Sequence, residues 1–140
     1  MSFRPKELPL PIAVGVVYSQ GRFLVARRRP GAHLAGTWEF PGGKLRPGEA
    51  MESALRRELE EEAGIQFKSR VLLHVEEHAY SDRTVLLHFF LCIDPEGPPR
   101  GREGQEIRWV SLDELKMLEI PAANRGVLRI LEEQFGEESK

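Results

Sequence analysis

Between Arg57 and Glu62 the chain reads Arg-Glu-Leu-Glu-Glu-Glu. On a helix turning about 100° per residue, Glu62 lies at about 40° and Glu61 at about −60° from Glu58. Three carboxylates then share one face. Met51, Ala54, Leu55 and Leu59 fall in the same sector, so the acids continue the apolar stripe. Glu60 points the opposite way. Like charges three and four residues apart repel by about a few tenths of a kcal/mol each. The C-terminal end of a helix also disfavours negative charge. Such a placement calls for a cation from outside. A hard divalent ion, Mg²⁺ above all, suits carboxylate and phosphate oxygens. Arg57 stands one turn before Glu61 and can orient it. A solvated acidic helix end is the competing reading.

The elements that must position these groups follow from pattern. Residues 10–18 are rich in Val and Ile and predict a strand, returned by residues 22–26 after a Ser-Gln-Gly turn. Residues 27–37 predict a basic loop. Trp38–Phe40 is a short apolar piece stopped by Pro41-Gly42-Gly43. Residues 49–63 lack Gly and Pro and predict a helix, with Gly64 as its C-cap. Strands are expected at 71–75, 84–93 and 106–110, with a Pro/Gly-rich loop over 94–104. Ser111 and Glu114 have the spacing of a capping box. A terminal helix is expected over 122–135, with Val127, Leu128, Leu131 and Phe135 on one stripe. Residues 1–9 read as an extended arm and 136–140 as a polar tail. The whole of 1–140 is expected to form a single domain, an α+β sandwich of a mixed sheet flanked by helices.

Bulk composition excludes several function classes. The net charge is −2, with 19 Glu against 3 Asp and 15 Arg against 5 Lys. A general nucleic-acid coat would carry a basic excess. Cys92 is the single cysteine, so no intrachain disulfide forms, which favours a reducing compartment. No apolar run approaches a membrane span. A cytoplasmic location is the expectation, with no membrane partner.

From Gly43 to Ile65 the sequence is GKLRPGEAMESALRRELEEEAGI. It resembles the Nudix box, Gly-x5-Glu-x7-Arg-Glu-U-x-Glu-Glu-x-Gly-U with U aliphatic, at every position. The matching residues are Gly43, Glu49, Arg57, Glu58, Leu59, Glu61, Glu62, Gly64 and Ile65. The stretches Ile12-Ala13-Val14-Gly15, Trp38 to Lys44, Glu103-Gly104-Gln105-Glu106 and Pro121-Ala122-Ala123-Asn124 look like the MutT-type branch. The resemblance implies the Nudix fold and Mg²⁺-dependent hydrolysis, with Mn²⁺ able to substitute. A nucleoside triphosphate would yield a nucleoside monophosphate and pyrophosphate. That chemistry belongs to nucleotide-pool sanitation, which serves DNA repair. It also implies roles. Glu58, Glu61, Glu62, the Gly43 carbonyl and Glu103 would bind metal. Glu58 and Glu103 are the candidate general bases. Arg57 would orient the site, and Glu49 would support it from behind.

The base-reading end rests on Asn124, which matches an asparagine that reads a purine edge in this branch. An amide offers both a donor and an acceptor. Guanine presents two acceptors there, O6 and N7. Oxidation at C8 places a proton on N7, so one amide satisfies both atoms, and 8-oxo-dGTP becomes the leading substrate. Asn124 could instead cap the terminal helix. Arg28, Phe40 and Tyr80 are candidate pocket residues by position. Ile120 stands where an aromatic residue often precedes this motif. Other nucleotide substrates remain open: dCTP or CTP, dinucleoside polyphosphates and 5′-triphosphate RNA. So does a non-catalytic nucleotide-binding module. The assembly is expected to be a monomer or homodimer.

Other signals weigh less. Gly42-Gly43-Lys44 ends like a P-loop, but Leu45 replaces the required hydroxyl. His74, Glu76 and His78 share a strand face without a zinc-ligand pattern. Arg27-Arg28-Arg29 could steer an anion or form a solvated turn. Trp38 and Trp109 are expected in the core.

Overall fold

A computed structural model describes residues 8–136. Residues 1–7 and 137–140, most of the expected arm and tail, lie outside them. The elements are β1 (Leu10–Ser19), β2 (Arg22–Arg27), β3 (Trp38–Glu39), β4 (Gly42–Lys44), α1 (Met51–Ala63), β5 (Gln66–Ala79), β6 (Thr84–Glu96), β7 (Ile107–Val110), α2 (Leu112–Met117), a 3₁₀ turn (Ala122–Asn124) and α3 (Arg125–Phe135). Seven strands form a mixed sheet of order β3-β2-β1-β6-β5, with β4 paired to β1 and β7 to β2. β1 and β6 run parallel, and the other pairs are antiparallel.

The layers follow from the two-residue period of a strand. Ala13 and Val17 of β1 face α1, where they join Leu24, Ala54, Leu55, Leu59 and Phe90. Val14 and Val16 face the opposite side and join Phe23, Trp38, Leu115, Val127 and Leu131. Gly15 lets α1 come close, because a Cβ there would sit 3.0 Å from the Leu59 methyls. The sandwich of helix, sheet and helix matches the expected α+β class. No helix among the described residues is long and apolar enough to cross a membrane.

Several boundaries differ from the pattern reading. α1 begins at Met51, two residues late, because Ala50 is extended and the Glu49 carboxylate accepts the Arg46 N–H. β4 occupies Gly42–Lys44, where a stop was expected. It exists because Gly42 carries no side chain, and a Cβ there would strike the Ala13 carbonyl. β5 spans Gln66–Ala79, far beyond 71–75. It is an edge strand with a bulge at Leu72/His74, and its half-buried His74, Glu76 and His78 beside exposed Val71, Leu72 and Val75 invert the usual apolar pattern. β6 continues to Glu96, so Asp94–Glu96 is strand rather than loop. β7 starts at Ile107. The terminal helix is broken into the 3₁₀ turn and α3. Val127 and Leu131 are fully buried, while Leu128 and Phe135 pack at the core's margin. Trp38 is core, and Trp109 is only partly covered. The Ser111 capping box forms with both of its hydrogen bonds.

Gly64 closes α1 at φ +67°, donating its N–H to the Glu60 carbonyl. A Cβ there would also come within 2.9 Å of the Arg102 side chain. Gly64→Ala is expected to cost about 1–2 kcal/mol in urea unfolding, the usual penalty for a left-handed residue. An unchanged midpoint would show that the turn relaxes freely.

Candidate active site

Packing Leu55 and Leu59 onto the sheet carries Glu58 and Glu62 against β4. A Cβ on Gly43 would lie 2.5 Å from the Glu58 carboxyl, so only glycine permits this approach. The Gly42 N–H donates to Glu62 Oε2 at 2.7 Å. Burial pushes the Glu62 carboxyl up to about 8, and the charge of Glu58 adds to the shift. Glu39 and Glu103 contribute in the same direction. Four carboxylates therefore crowd one region of the fold.

Arg57 holds this cluster together. Its Nε and Nη2 grip both oxygens of Glu49 at 2.8 Å. Nη1 reaches Glu58 at 2.8 Å and Glu61 at 3.2 Å, and Nη2 also donates to the Lys44 carbonyl. All five guanidinium N–H groups are thus committed. Hydrogen bonding to Arg57 draws the Glu49 carboxyl down to about 2, and these carboxylates raise the basicity of Arg57. Glu61 is exposed and pairs in addition with Arg46 at 3.1 Å.

Glu103 stands on the loop between β6 and β7, and its carboxylate has no partner among the described residues. Its backbone is held: the N–H donates to Gln105 Oε1, and the carbonyl accepts from Arg29 Nη1 at 2.8 Å. Glu39 was not among the expected site residues. It lies on β3 opposite the buried Trp38, so strand alternation alone aims it toward Glu62. Burial raises its carboxyl pKa despite Arg28, whose Nη1 sits 3.0 Å from both Glu39 oxygens.

The expected base-end residues lie in different surroundings. Asn124 is 7% exposed, makes no side-chain cap on α3 and has no side-chain hydrogen bond among the described residues. The capping alternative therefore fails. Phe40 is sealed in the core at 3% exposure. Tyr80 is exposed near the end of β5, against His78 and His33. Arg28 is committed to Glu39 and the His33 carbonyl. It also lines a cavity of about 450 Å³ between the basic loop and the Glu103 loop, together with Arg27, Arg29, Gly104, Gln105 and Glu106. Elsewhere, His74 binds Glu76 at 2.8 Å. Cys92 is fully buried, its thiol pushed up to about 12 by burial.

The donors near β4 are all oxygens, which suits a hard divalent ion. No three acidic, imidazole or thiol groups among the described residues yet share one centre. Arg57, Arg46 and the Gly42 N–H hold the glutamates instead. The half-buried Glu62, crowded by like charges and answered by one N–H, is the feature that fits a cation.

The NUDIX domain family matches residues 13–129. The chain belongs to the Nudix family. An 8-oxo-dGTP diphosphatase of Escherichia coli (strain K12) is 41% identical over 120 residues, covering 85% of this chain and 93% of the relative. A CTP pyrophosphohydrolase of the same organism is 32% identical over 105 residues, covering 75% and 78%. A MutT structure from work on Aliivibrio salmonicida and Vibrio cholerae superposes with a TM-score of 0.79 at 32% identity, over 91% of this chain and all of that one. The MutT NUDIX hydrolase of Burkholderia pseudomallei gives a TM-score of 0.74 at 32% identity, covering 91% and 98%. The sheet and flanking helices of this Nudix domain are those of MutT structures.

The titration of Glu62 has a testable sign. Its pKa is raised on folding, so the folded state binds the proton more tightly than the unfolded chain. That stability is full below the ordinary carboxylate range and is lost as pH rises through about 8. Without divalent metal, the wild-type Tm is expected to fall between pH 5 and 8 relative to Glu62→Gln. Parallel Tm profiles for the two proteins would refute the shift.

Proposed function

We propose that this Nudix domain is a divalent-metal-dependent nucleoside triphosphate pyrophosphohydrolase, with Mg²⁺ as the metal and 8-oxo-dGTP as the leading substrate. One observation carries the reading. Glu58, Glu61 and Glu62 share one face of α1, and Glu62 is crowded enough by burial and like charge to hold its proton up to about 8, a cluster suited to metal ions bearing a polyphosphate. The chain would act as one domain over 1–140, in the cytoplasm, to cleanse the nucleotide pool.

Glu58, Glu61, Glu62, the Gly43 carbonyl and Glu103 would hold the metal. When bound, the ion supplies charge neutralisation and an activated water for attack on a phosphoric anhydride. Arg57, fixed by Glu49, keeps Glu58 and Glu61 in place. Of the two candidate bases, Glu58 is tied to Arg57, while the Glu103 carboxylate is free among the described residues. That contrast favours Glu103 for accepting the proton of the attacking water. Asn124 offers one buried amide with no side-chain hydrogen bond among the described residues, suited to the O6 and N7–H pair of 8-oxoguanine. Arg28 and Tyr80 would border the nucleotide. Phe40 would act from within the core, as a wall behind the base.

A second reading, pyrophosphohydrolysis of CTP, is supported by the relative with that activity in its name. Pyrophosphate release from 8-oxo-dGTP, dGTP, dCTP and CTP, with and without Mg²⁺, separates the two. The expected result is metal-dependent turnover with 8-oxo-dGTP preferred over dGTP. Asn124→Ala is expected to erode that preference by about tenfold or more, since its amide provides the discriminating hydrogen bonds. Glu62→Gln is expected to lower the rate by about 100-fold or more while remaining folded. Absence of turnover on every nucleoside triphosphate would overturn the proposal.

A further inference from the structure

The loop bearing Glu103 is docked on the open end of α1. The last carbonyls of a helix lack intrahelical donors, and here residues 100–105 supply them. The Arg100 N–H donates to the Ala63 carbonyl at 2.9 Å, and the Arg102 N–H to the Glu62 carbonyl at 3.1 Å. Arg102 also pairs with Glu60 at 2.7 Å.

Gln105 joins two backbones that matter for the proposed site. Its Nε2 donates to the Glu62 carbonyl at 3.1 Å, and its Oε1 accepts the Glu103 N–H at 3.0 Å. One side-chain amide therefore spans from Glu62 to Glu103. On the other side of Glu103, Arg29 reaches across from the basic loop to its carbonyl. Both peptide groups of Glu103 are thus pinned by side chains, while its carboxylate is left uncommitted. Gly101 and Gly104 flank this residue, and Gly104 adopts φ +84°. Glycine-flanked backbone loses much conformational entropy when fixed. Fixing it before the metal arrives removes that cost from binding.

From this geometry we propose that Gln105 and Arg29 are positioning residues that hold the Glu103 carboxylate opposite Glu62, ready for a divalent cation. The proposal rests on the reading of Glu103 as a metal ligand. In this role both act through the backbone of Glu103.

The test compares Gln105→Ala, Arg29→Ala, Arg29→Lys and Glu103→Gln. In the metal-free protein, the Glu103 amide is expected to exchange about tenfold faster in Gln105→Ala, as loss of one hydrogen bond implies. Mn²⁺ affinity, read by electron paramagnetic resonance, is expected to weaken about three- to tenfold in Gln105→Ala and in Arg29→Ala. Arg29→Lys, which retains a donor, is expected to recover most of it. In a Glu103→Gln background, Gln105→Ala is expected to add nothing further. An equal loss of Mn²⁺ affinity in that background would overturn the proposal, as would a lowered Tm with unchanged Mn²⁺ affinity. If Glu103→Gln itself leaves Mn²⁺ affinity intact, the metal-ligand reading fails and takes this proposal with it. The amide exchange result would still report on the Gln105 contact by itself.

Discussion

Helix α1 cannot bury its apolar stripe without also carrying glutamates into the fold. Leu55 and Leu59 must pack on the sheet for the domain to have a core on that side. Glu58 and Glu62 follow on the same flank and end beneath β4. The glycines answer this constraint. Gly15 makes room for Leu59, Gly42 lets β4 lie against β1, and Gly43 makes room for the Glu58 carboxyl. Each is a place where a side chain would separate the helix from the strands.

The resulting crowd of like charges is held by three means. Arg57 gives all five of its N–H groups to Glu49, Glu58, Glu61 and the Lys44 carbonyl. The Gly42 N–H answers one oxygen of Glu62. The remainder is met by Glu62 retaining a proton far above the ordinary carboxylate range. A protein selected for stability alone would place apolar groups there, since buried charge costs more than it returns. Local violations of folding rules concentrate where function requires them. The excess of Glu over Asp in the chain has part of its cause here, in long carboxylates that can reach from a helix to a strand.

The two ends of the site are built differently. The carboxylate end sits on a helix and a strand and is braced by side chains. The proposed base-reading end would draw Asn124 from a 3₁₀ turn, Tyr80 from the end of an edge strand and Arg28 from a basic loop. The Arg28–Glu39 pair links these ends, because Glu39 is both the partner of Arg28 and a neighbour of Glu62. A change in charge at the carboxylate end would therefore be felt by the guanidinium proposed to border the nucleotide.

Much of this was legible in the chain because it is local. The nine matching positions from Gly43 to Ile65 run from β4 through one loop and one helix to just past its cap, and helical periodicity aligns Glu58, Glu61 and Glu62 without help from distant residues. The Gly64 cap and the Ser111 box are equally short-range. Other features depend on residues far apart. Edge strand β5 escapes the usual pattern because Val71, Leu72 and Val75 are exposed while the polar His74, Glu76 and His78 are half-buried. β4 exists only because β1 accepts Gly42. Glu39 gained its place through the burial of Trp38, and Asn124 was freed from capping by the break before α3. Gln105 ties the Glu103 loop to the Glu62 carbonyl 43 residues away, and Arg29 reaches the Glu103 carbonyl across 74 residues. Spacing along the chain decides which chemistry is available, because neighbours on a helix must share a face. Long-range packing decides which carboxylates are desolvated and which side chains hold them, because burial and hydrogen-bond partners come from elsewhere in the fold.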